Sequence, residues 1–209
     1  MSESTRVFAL RHGQTAWNAD KRIQGHKDIA LDATGRWQAA QLAAALAGEL
    51  LAVIYSSDLQ RALATAEPLA RATGAPLLTD SALRERSFGS FEGQTFDEIQ
   101  QRWPLETRHW LSREPDFEPG GGESLTAFSA RCVGAAARLA AQHPGAAIAL
   151  VAHGGVLDCL YRAAVGVSLA EPRGWQLGNA TINRLLFTGE RFSLVGWNDA
   201  AHLEAQAAP

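Results

Sequence analysis

Three short apolar runs, at residues 7–10, 51–55 and 147–152, constrain this chain more than any other feature. Each is an unbroken apolar stretch of a few residues, the pattern of a strand covered on both faces rather than one half-exposed to water. Between the first two lies an alanine-rich helical stretch that Thr34-Gly35 caps and that runs to about Gly48, with Trp37, Leu42 and Leu46 on its buried side. After the second run, Ser56-Ser57-Asp58 places a hydroxyl or carboxylate where a helix N-terminus has unpaired amides. That helix turns Leu59, Leu63, Ala66 and Ala70 inward, meets a break or kink at Pro68, and stops near Gly74. Strand followed by helix, twice over, predicts an α/β chain.

The remaining segments extend this plan. Residues 76–79 suggest a third strand, and residues 83–93 form a loop punctuated by Gly89 and Gly93. Two short helices are expected over 95–113, parted at Trp103-Pro104, and Ser124 caps a long helix over 125–142. A further helix over 156–165 follows the third apolar run. Residues 181–188 and 192–197 read as a strand pair turned at Gly189-Glu190, with a frayed or edge-covering tail after Asp199. No repeat, linker or composition break divides the chain, so residues 1–209 are expected to form one domain.

Bulk properties narrow the partners. A net charge of −3 gives no reason to expect nucleic acid or an anionic membrane, so any positive site must be local. No stretch approaches the ~20 apolar residues that span a bilayer, and no signal-peptide pattern opens the chain, which predicts a cytoplasmic protein. Cys132 and Cys159 show neither metal-ligand nor disulfide-rich spacing and are expected as reduced, packed thiols. A homodimer is admitted, but nothing in the sequence requires one.

Two of the apolar runs end in histidine and glycine, as Arg11-His12-Gly13 and as His153-Gly154-Gly155. Strand ends of open α/β sheets are where ligands bind, and glycine there permits a sharp turn or a close anion. The residue set suits attack on a phosphate ester, which needs an unprotonated nucleophile, cationic donors for the equatorial oxygens and an acid for the leaving oxygen. A neutral His12 can attack phosphorus, and neighbouring guanidinium charge keeps its lone pair free. Arg11 is adjacent, Arg61 lies in the first turn of the helix after the second strand, His153 comes from the other strand end, and Asn18 offers a neutral donor. For the acid, Asp80, Glu85, Glu92, Asp97 and Glu98 all compete, and their chemistry alone does not separate them. His26, His143 and His202 are expected at the surface. No Gly-x-Gly-x-x-Gly follows the first strand and no His-Glu-x-x-His occurs, which disfavours a dinucleotide dehydrogenase and a zinc hydrolase.

The ordered set Leu10-Arg11-His12-Gly13-Gln14-Thr15, Arg22-Ile23-Gln24-Gly25, Ser56-Ser57-Asp58-Leu59-Gln60-Arg61, Leu83-Arg84-Glu85, Gly122-Glu123-Ser124 and Val151-Ala152-His153-Gly154-Gly155 resembles the histidine phosphatase superfamily, also called phosphoglycerate mutase-like. The resemblance runs along essentially the whole chain. It implies a three-layer α/β sandwich around a mainly parallel sheet, a phosphohistidine on His12, and no metal. It further implies phosphate contacts from Arg11, Asn18, Arg61 and His153, with Gln24, Gly25 and Gly154 lining the site, and it selects Glu85 as proton donor. Glu92 is then left as a structural hydrogen-bonding residue.

A phosphohistidine passes its phosphoryl group either to water or back to a sugar acid. Cofactor-dependent mutases of that family carry Phe-Thr-Gly-Trp where this chain has Ile23-Gln24-Gly25-His26, and a longer insertion with paired arginines. The departure favours a phosphomonoesterase for small phosphorylated metabolites that needs no cofactor. A phosphoglycerate mutase using 2,3-bisphosphoglycerate is the alternative, with Arg102, Arg108 or Arg113 serving a carboxylate, and a non-catalytic phospho-ligand binder ranks last. Residues 94–120 are expected either to pack on the sheet or to cover the substrate.

Overall fold

A computed structural model describes residues 3–206. The strands are β1 (Thr5–Arg11), β2 (Leu51–Ser56), β3 (Leu77–Thr79), β4 (Ala147–Ala152), β5 (Ile182–Phe187) and β6 (Phe192–Asp199). The helices are α1 (Ala16–Ala19), α2 (Ala33–Leu46), α3 (Gln60–Thr73), α4 (Phe96–Arg102), α5 (Pro104–Leu111), α6 (Leu125–Ala140) and α7 (Gly154–Val165). The strands form one sheet in the order β3-β2-β4-β1-β5-β6, in which β3, β2, β4 and β1 run parallel and β5 pairs antiparallel with both β1 and β6.

Both faces of the central strands are covered, as their unbroken apolar character requires. Along β1, Val7 and Ala9 join one core with Phe128, Cys132 and Leu139 of α6 and Leu157 of α7, while Phe8 and Leu10 join the other with Leu42 and Leu46 of α2 and Leu69 of α3. The result is the three-layer α/β sandwich around a mainly parallel sheet that the resemblance implied. Both cysteines are free and buried in the first core. Among the described residues, no helix is long and apolar enough to cross a membrane.

Several local expectations are corrected. Helix α2 is capped by Asp32, whose Oδ1 accepts from the Gly35 amide at 2.7 Å, because the carboxylate sits at the N-cap while Thr34 is already inside the helix. Trp37 is only half-buried. The amide of Gln60 at the start of α3 is met from another loop, by Asp28 Oδ1 at 2.8 Å, and Asp58 turns away to a two-pronged pair with Arg84 at 2.6 and 2.7 Å. Helix α3 continues through Pro68, with Leu69 taking the fully buried place expected of Leu63. His26, His143 and His202 are part-buried, and each ring holds a hydrogen bond.

Candidate active site

The site stands at the carboxyl ends of the parallel strands, where such sheets bind ligands. Adjacent strands β1 and β4 are in register at Arg11 and Ala152, so His12 and His153 leave the sheet side by side. The His12 amide donates to the Ala152 carbonyl at 3.0 Å, and the two imidazole centroids are 5.1 Å apart. The chain then turns through Gly13, whose amide donates to Thr65 Oγ1 at 3.0 Å. A Cβ on Gly13 would lie 2.4 Å from the Gly35 carbonyl oxygen, so only glycine fits.

Ring nitrogens are assigned by their partners. His12 Nδ1 lies 2.7 Å from the Gly13 carbonyl oxygen, which can only accept, so Nδ1 carries the proton and Nε2 keeps a lone pair. Burial holds the His12 pKa well below the usual imidazole range, and Arg61 and Arg11 add to the effect, so His12 is neutral at physiological pH. His153 Nε2 is 2.8 Å from Ser57 Oγ. Ser57 Oγ also accepts from the Leu59 amide at 3.3 Å, and in the tautomer in which its hydroxyl donates to Nε2 the imidazole N–H stands on Nδ1. Burial, then Arg61, His12 and Arg11, keep His153 neutral as well.

Two guanidinium groups flank this pair. Arg61, fully buried, is held in place by Nη1 donating to Lys27 O and Nη2 donating to Gly25 O, both at 2.8 Å. Arg11 ends β1, donates from Nη1 to the Leu177 carbonyl, and lies against Gly154 at the start of α7, where a Cβ would stand 3.4 Å from Arg11 Nε. Burial pushes the Arg11 pKa down to about 10, Glu85 opposing and Arg173 and Arg61 assisting, and both arginines stay charged at neutral pH. Arg11 Nε, Arg61 Nε and His153 Nδ1 are all buried with no hydrogen-bond partner. Three buried nitrogens without a protein partner, on the side chains that flank His12, are suited to an oxyanion.

The other expected residues gather at the same mouth. A pocket of 190 Å³ is lined by Arg11, His12, Asn18, Gln24, Gly25 and Arg61, with Glu85 and Phe88 at its edge. Asn18 Oδ1 accepts from the Thr15 amide and Gln24 Oε1 from Thr15 Oγ1, at 3.1 and 3.0 Å, which leaves both side-chain NH2 groups to donate. Gly25 adopts φ +51°, and a Cβ there would strike Glu92 Oε1 at 2.1 Å. Of the five competing acids, Glu85 alone lines this pocket. Its oxygens accept from the amides of Arg86 and Gly155 at 2.9 and 3.0 Å. Glu92 accepts from the amides of His26 and Phe88, Glu98 pairs with Arg22, and Asp80 pairs with Arg138.

Sequence reasoning missed four supports. In the sequence Ser57 looks like a helix cap, and only its position beside β4 shows it to be the partner of His153. Thr65 lies one turn after Arg61 and reaches Gly13, Phe88 forms the aromatic edge of the pocket, and Asn179 Nδ2 donates to the His12 carbonyl at 2.9 Å from the far end of the chain. No local signal marks Asn179. The 94–120 segment packs Trp103 and Trp110 on Phe91, with centroids 5.2 and 5.7 Å apart, and it reaches the cleft beyond Glu85 through Trp110 and Arg113. Arg102 and Arg108 are exposed, Arg102 lying over the Trp103 ring.

Known proteins resemble the chain along most of its length. The chain is 38% identical over 203 residues to phosphoglycerate mutase-like protein 4 of Arabidopsis thaliana, covering 95% of this chain and 86% of that protein. It is 35% identical over 207 residues to a metal-independent phosphoserine phosphatase of the same plant, covering 98% and 85%. Among solved structures, a mycobacterial glucosyl-3-phosphoglycerate phosphatase complexed with VO3 superposes with a TM-score of 0.83 at 34% identity, over 93% of this chain and 99% of that one. The sequence profile of the histidine phosphatase superfamily (branch 1) matches residues 7–200. With a nucleophile-ready imidazole, its arginines and its second histidine set at the ends of neighbouring strands, the chain is an enzyme belonging to the histidine phosphatase superfamily.

Proposed function

We propose that the protein is a phosphomonoesterase for small phosphorylated metabolites, working through a phosphohistidine on His12 and without a metal. The observation that carries this reading is the convergence of three unpartnered buried donors, Arg11 Nε, Arg61 Nε and His153 Nδ1, on a neutral histidine. The phosphoryl oxygens take those N–H groups, with Asn18 and Gln24 adding neutral donors at the rim. Catalysis here is positioning plus charge stabilisation, since charge spreads over three equatorial oxygens in the transition state.

His12 Nε2 attacks phosphorus in line and the P–O ester bond breaks. Glu85, protonated for this step, gives its proton to the departing oxygen and becomes a carboxylate. Water then attacks the phosphohistidine, Glu85 takes the water proton, the P–N bond breaks, and inorganic phosphate leaves. His12 returns to its neutral form with the proton still on Nδ1. The metal-independent phosphatase among the relatives supports a cofactor-free reaction.

Water, rather than a sugar acid, is taken as acceptor because the chain has Ile23-Gln24-Gly25-His26 and a short 94–120 stretch, and because two of the compared proteins are phosphatases. Incubation with 3-phosphoglycerate, with and without 2,3-bisphosphoglycerate, tests this choice by following free phosphate and 2-phosphoglycerate together. Phosphate release should dominate in both cases. Formation of 2-phosphoglycerate faster than phosphate release would assign a mutase instead.

A further inference from the structure

Helix α2 lies against the turn that follows His12, and the contact is backbone on backbone. A Cβ on Gly35 would stand 2.0 Å from the Gln14 carbonyl oxygen, just as one on Gly13 would crowd Gly35. Asp32, the N-cap of α2, fastens the same place. Its amide donates to Gln14 O at 3.0 Å, its Oδ2 accepts from Gln14 Nε2 at 3.0 Å, and its Oδ1 holds the Gly35 amide. The first turn of α2 is thereby set against residues 13–14. Gln38 follows Gly35 by three residues, one turn along the same helix face, and so meets the same loop.

Gln38 Oε1 accepts from the Gln14 amide at 2.8 Å. A backbone N–H only donates, so this contact fixes which end of the carboxamide faces the loop. The bond bears on His12 because the Gln14 N–H and the Gly13 carbonyl belong to one planar peptide unit. Gly13 O is the oxygen that accepts from His12 Nδ1 at 2.7 Å, so turning that plane would carry the acceptor away from the ring. A partner on the N–H also polarises the peptide and strengthens its carbonyl as an acceptor. The preceding peptide unit is gripped in the same manner, by Thr65 Oγ1 at the Gly13 amide and by Asn179 Nδ2 at the His12 carbonyl.

We propose that Gln38 is a positioning residue for phosphoryl transfer: through the Gly13–Gln14 peptide unit it holds the His12 ring with its proton on Nδ1 and its Nε2 lone pair aimed at phosphorus. Gln38 stands outside the pocket lining and acts at one remove. The inference rests on the phosphohistidine reading of that pocket and adds how the nucleophile is aimed.

Two substitutions separate an acceptor from a space-filler. Gln38→Met keeps the length of the side chain and removes the acceptor, whereas Gln38→Glu keeps an acceptor oxygen. With p-nitrophenyl phosphate, Gln38→Met should lower kcat/KM by ~10- to 100-fold, the range for losing a partner that orients an active-site histidine, and Gln38→Glu should stay near wild type. Inhibition by inorganic phosphate should be unchanged in both, because Arg11, Arg61 and His153 keep their places. A side chain that only fills space would give the opposite ranking, with methionine tolerated and glutamate not. That ranking, equal loss in the two variants, loss in neither, or phosphate inhibition weakened as far as kcat/KM overturns the proposal. The proton NMR resonance of His12 Nδ1–H, assigned by its absence from His12→Asn, gives a readout independent of turnover. It should shift upfield in Gln38→Met and hold its position in Gln38→Glu; a resonance unmoved in Gln38→Met overturns the positioning role. If the wild type leaves p-nitrophenyl phosphate and small phosphorylated metabolites intact, the phosphatase reading fails, and this resonance alone decides for or against Gln38. Gln38→Leu, which also lacks an acceptor, replaces Gln38→Met if that variant does not fold.

Discussion

Ser57 Oγ and His153 Nε2 meet at 2.8 Å, and with the serine hydroxyl as donor the second histidine presents its N–H at the unpartnered Nδ1. Ser57→Ala removes the partner and frees the ring to take the other tautomer, which turns an acceptor toward the anion. The expected result is a ~10- to 100-fold fall in kcat, the range seen when a partner that orients an active-site histidine is lost. Inhibition by vanadate should weaken in parallel, because vanadate uses the same donor. A variant with reduced kcat and undiminished vanadate affinity would contradict the assignment.

Glu85 accepts from two backbone amides and faces the His12 pocket, so its loss should be felt on the leaving group. Glu85→Gln is expected to slow alkyl phosphates by ~100-fold or more, and p-nitrophenyl phosphate much less, since a good leaving group needs little protonation. Kinetics of the two substrates side by side provide the check. Equal slowing would mean another group supplies the proton.

Two neutral, fully buried histidines make stability depend on pH. Burial, with the arginines, places both folded pKa values below that of the unfolded chain, so in acid the unfolded state binds protons that the folded state refuses. Stability is therefore unaffected by these groups above about pH 6.5 and is lost as pH falls below it, with a slope of up to about 2.7 kcal/mol per pH unit for the two together. Urea unfolding between pH 7.5 and 5 measures this slope. His153→Asn should reduce it, and a slope unchanged in that variant would contradict the account.

Gly13 and Gly35 approach so closely that a methyl group between them has no space. Gly13→Ala should destabilise the fold by about 2 kcal/mol, the usual cost of overpacking a well-filled interior. Denaturant midpoints would report it, and an unchanged midpoint would show that the turn relaxes freely.

Much of this architecture is legible in the sequence because buried parallel strands are written as unbroken apolar runs. Residues 7–10 and 147–152 therefore read as buried strands, and their shared His-Gly endings suggest one site, while their adjacency appears only in the sheet order. The division of labour between His12 and His153 is not legible from the residues alone. It depends on which ring nitrogen each partner takes, and those partners, Gly13 O and Ser57 Oγ, differ only in three dimensions. Asp28 capping α3 and Asn179 bracing His12 are hidden for the same reason, since each acts on a segment remote in sequence. Glu85 is separated from its four rivals by position at the pocket edge, a property that composition and spacing do not carry.

The central claim is the covalent intermediate on His12. Rapid quenching of the enzyme with a ³²P-labelled phosphate ester should trap protein-bound label that is stable to alkali, labile to acid, and recovered on the peptide containing His12. His12→Ala should abolish the label and lower turnover by at least ~10³, as expected for loss of a nucleophile in an interdependent site. Label that persists in His12→Ala, or efficient hydrolysis with no trapped label and full turnover in that variant, would contradict the mechanism.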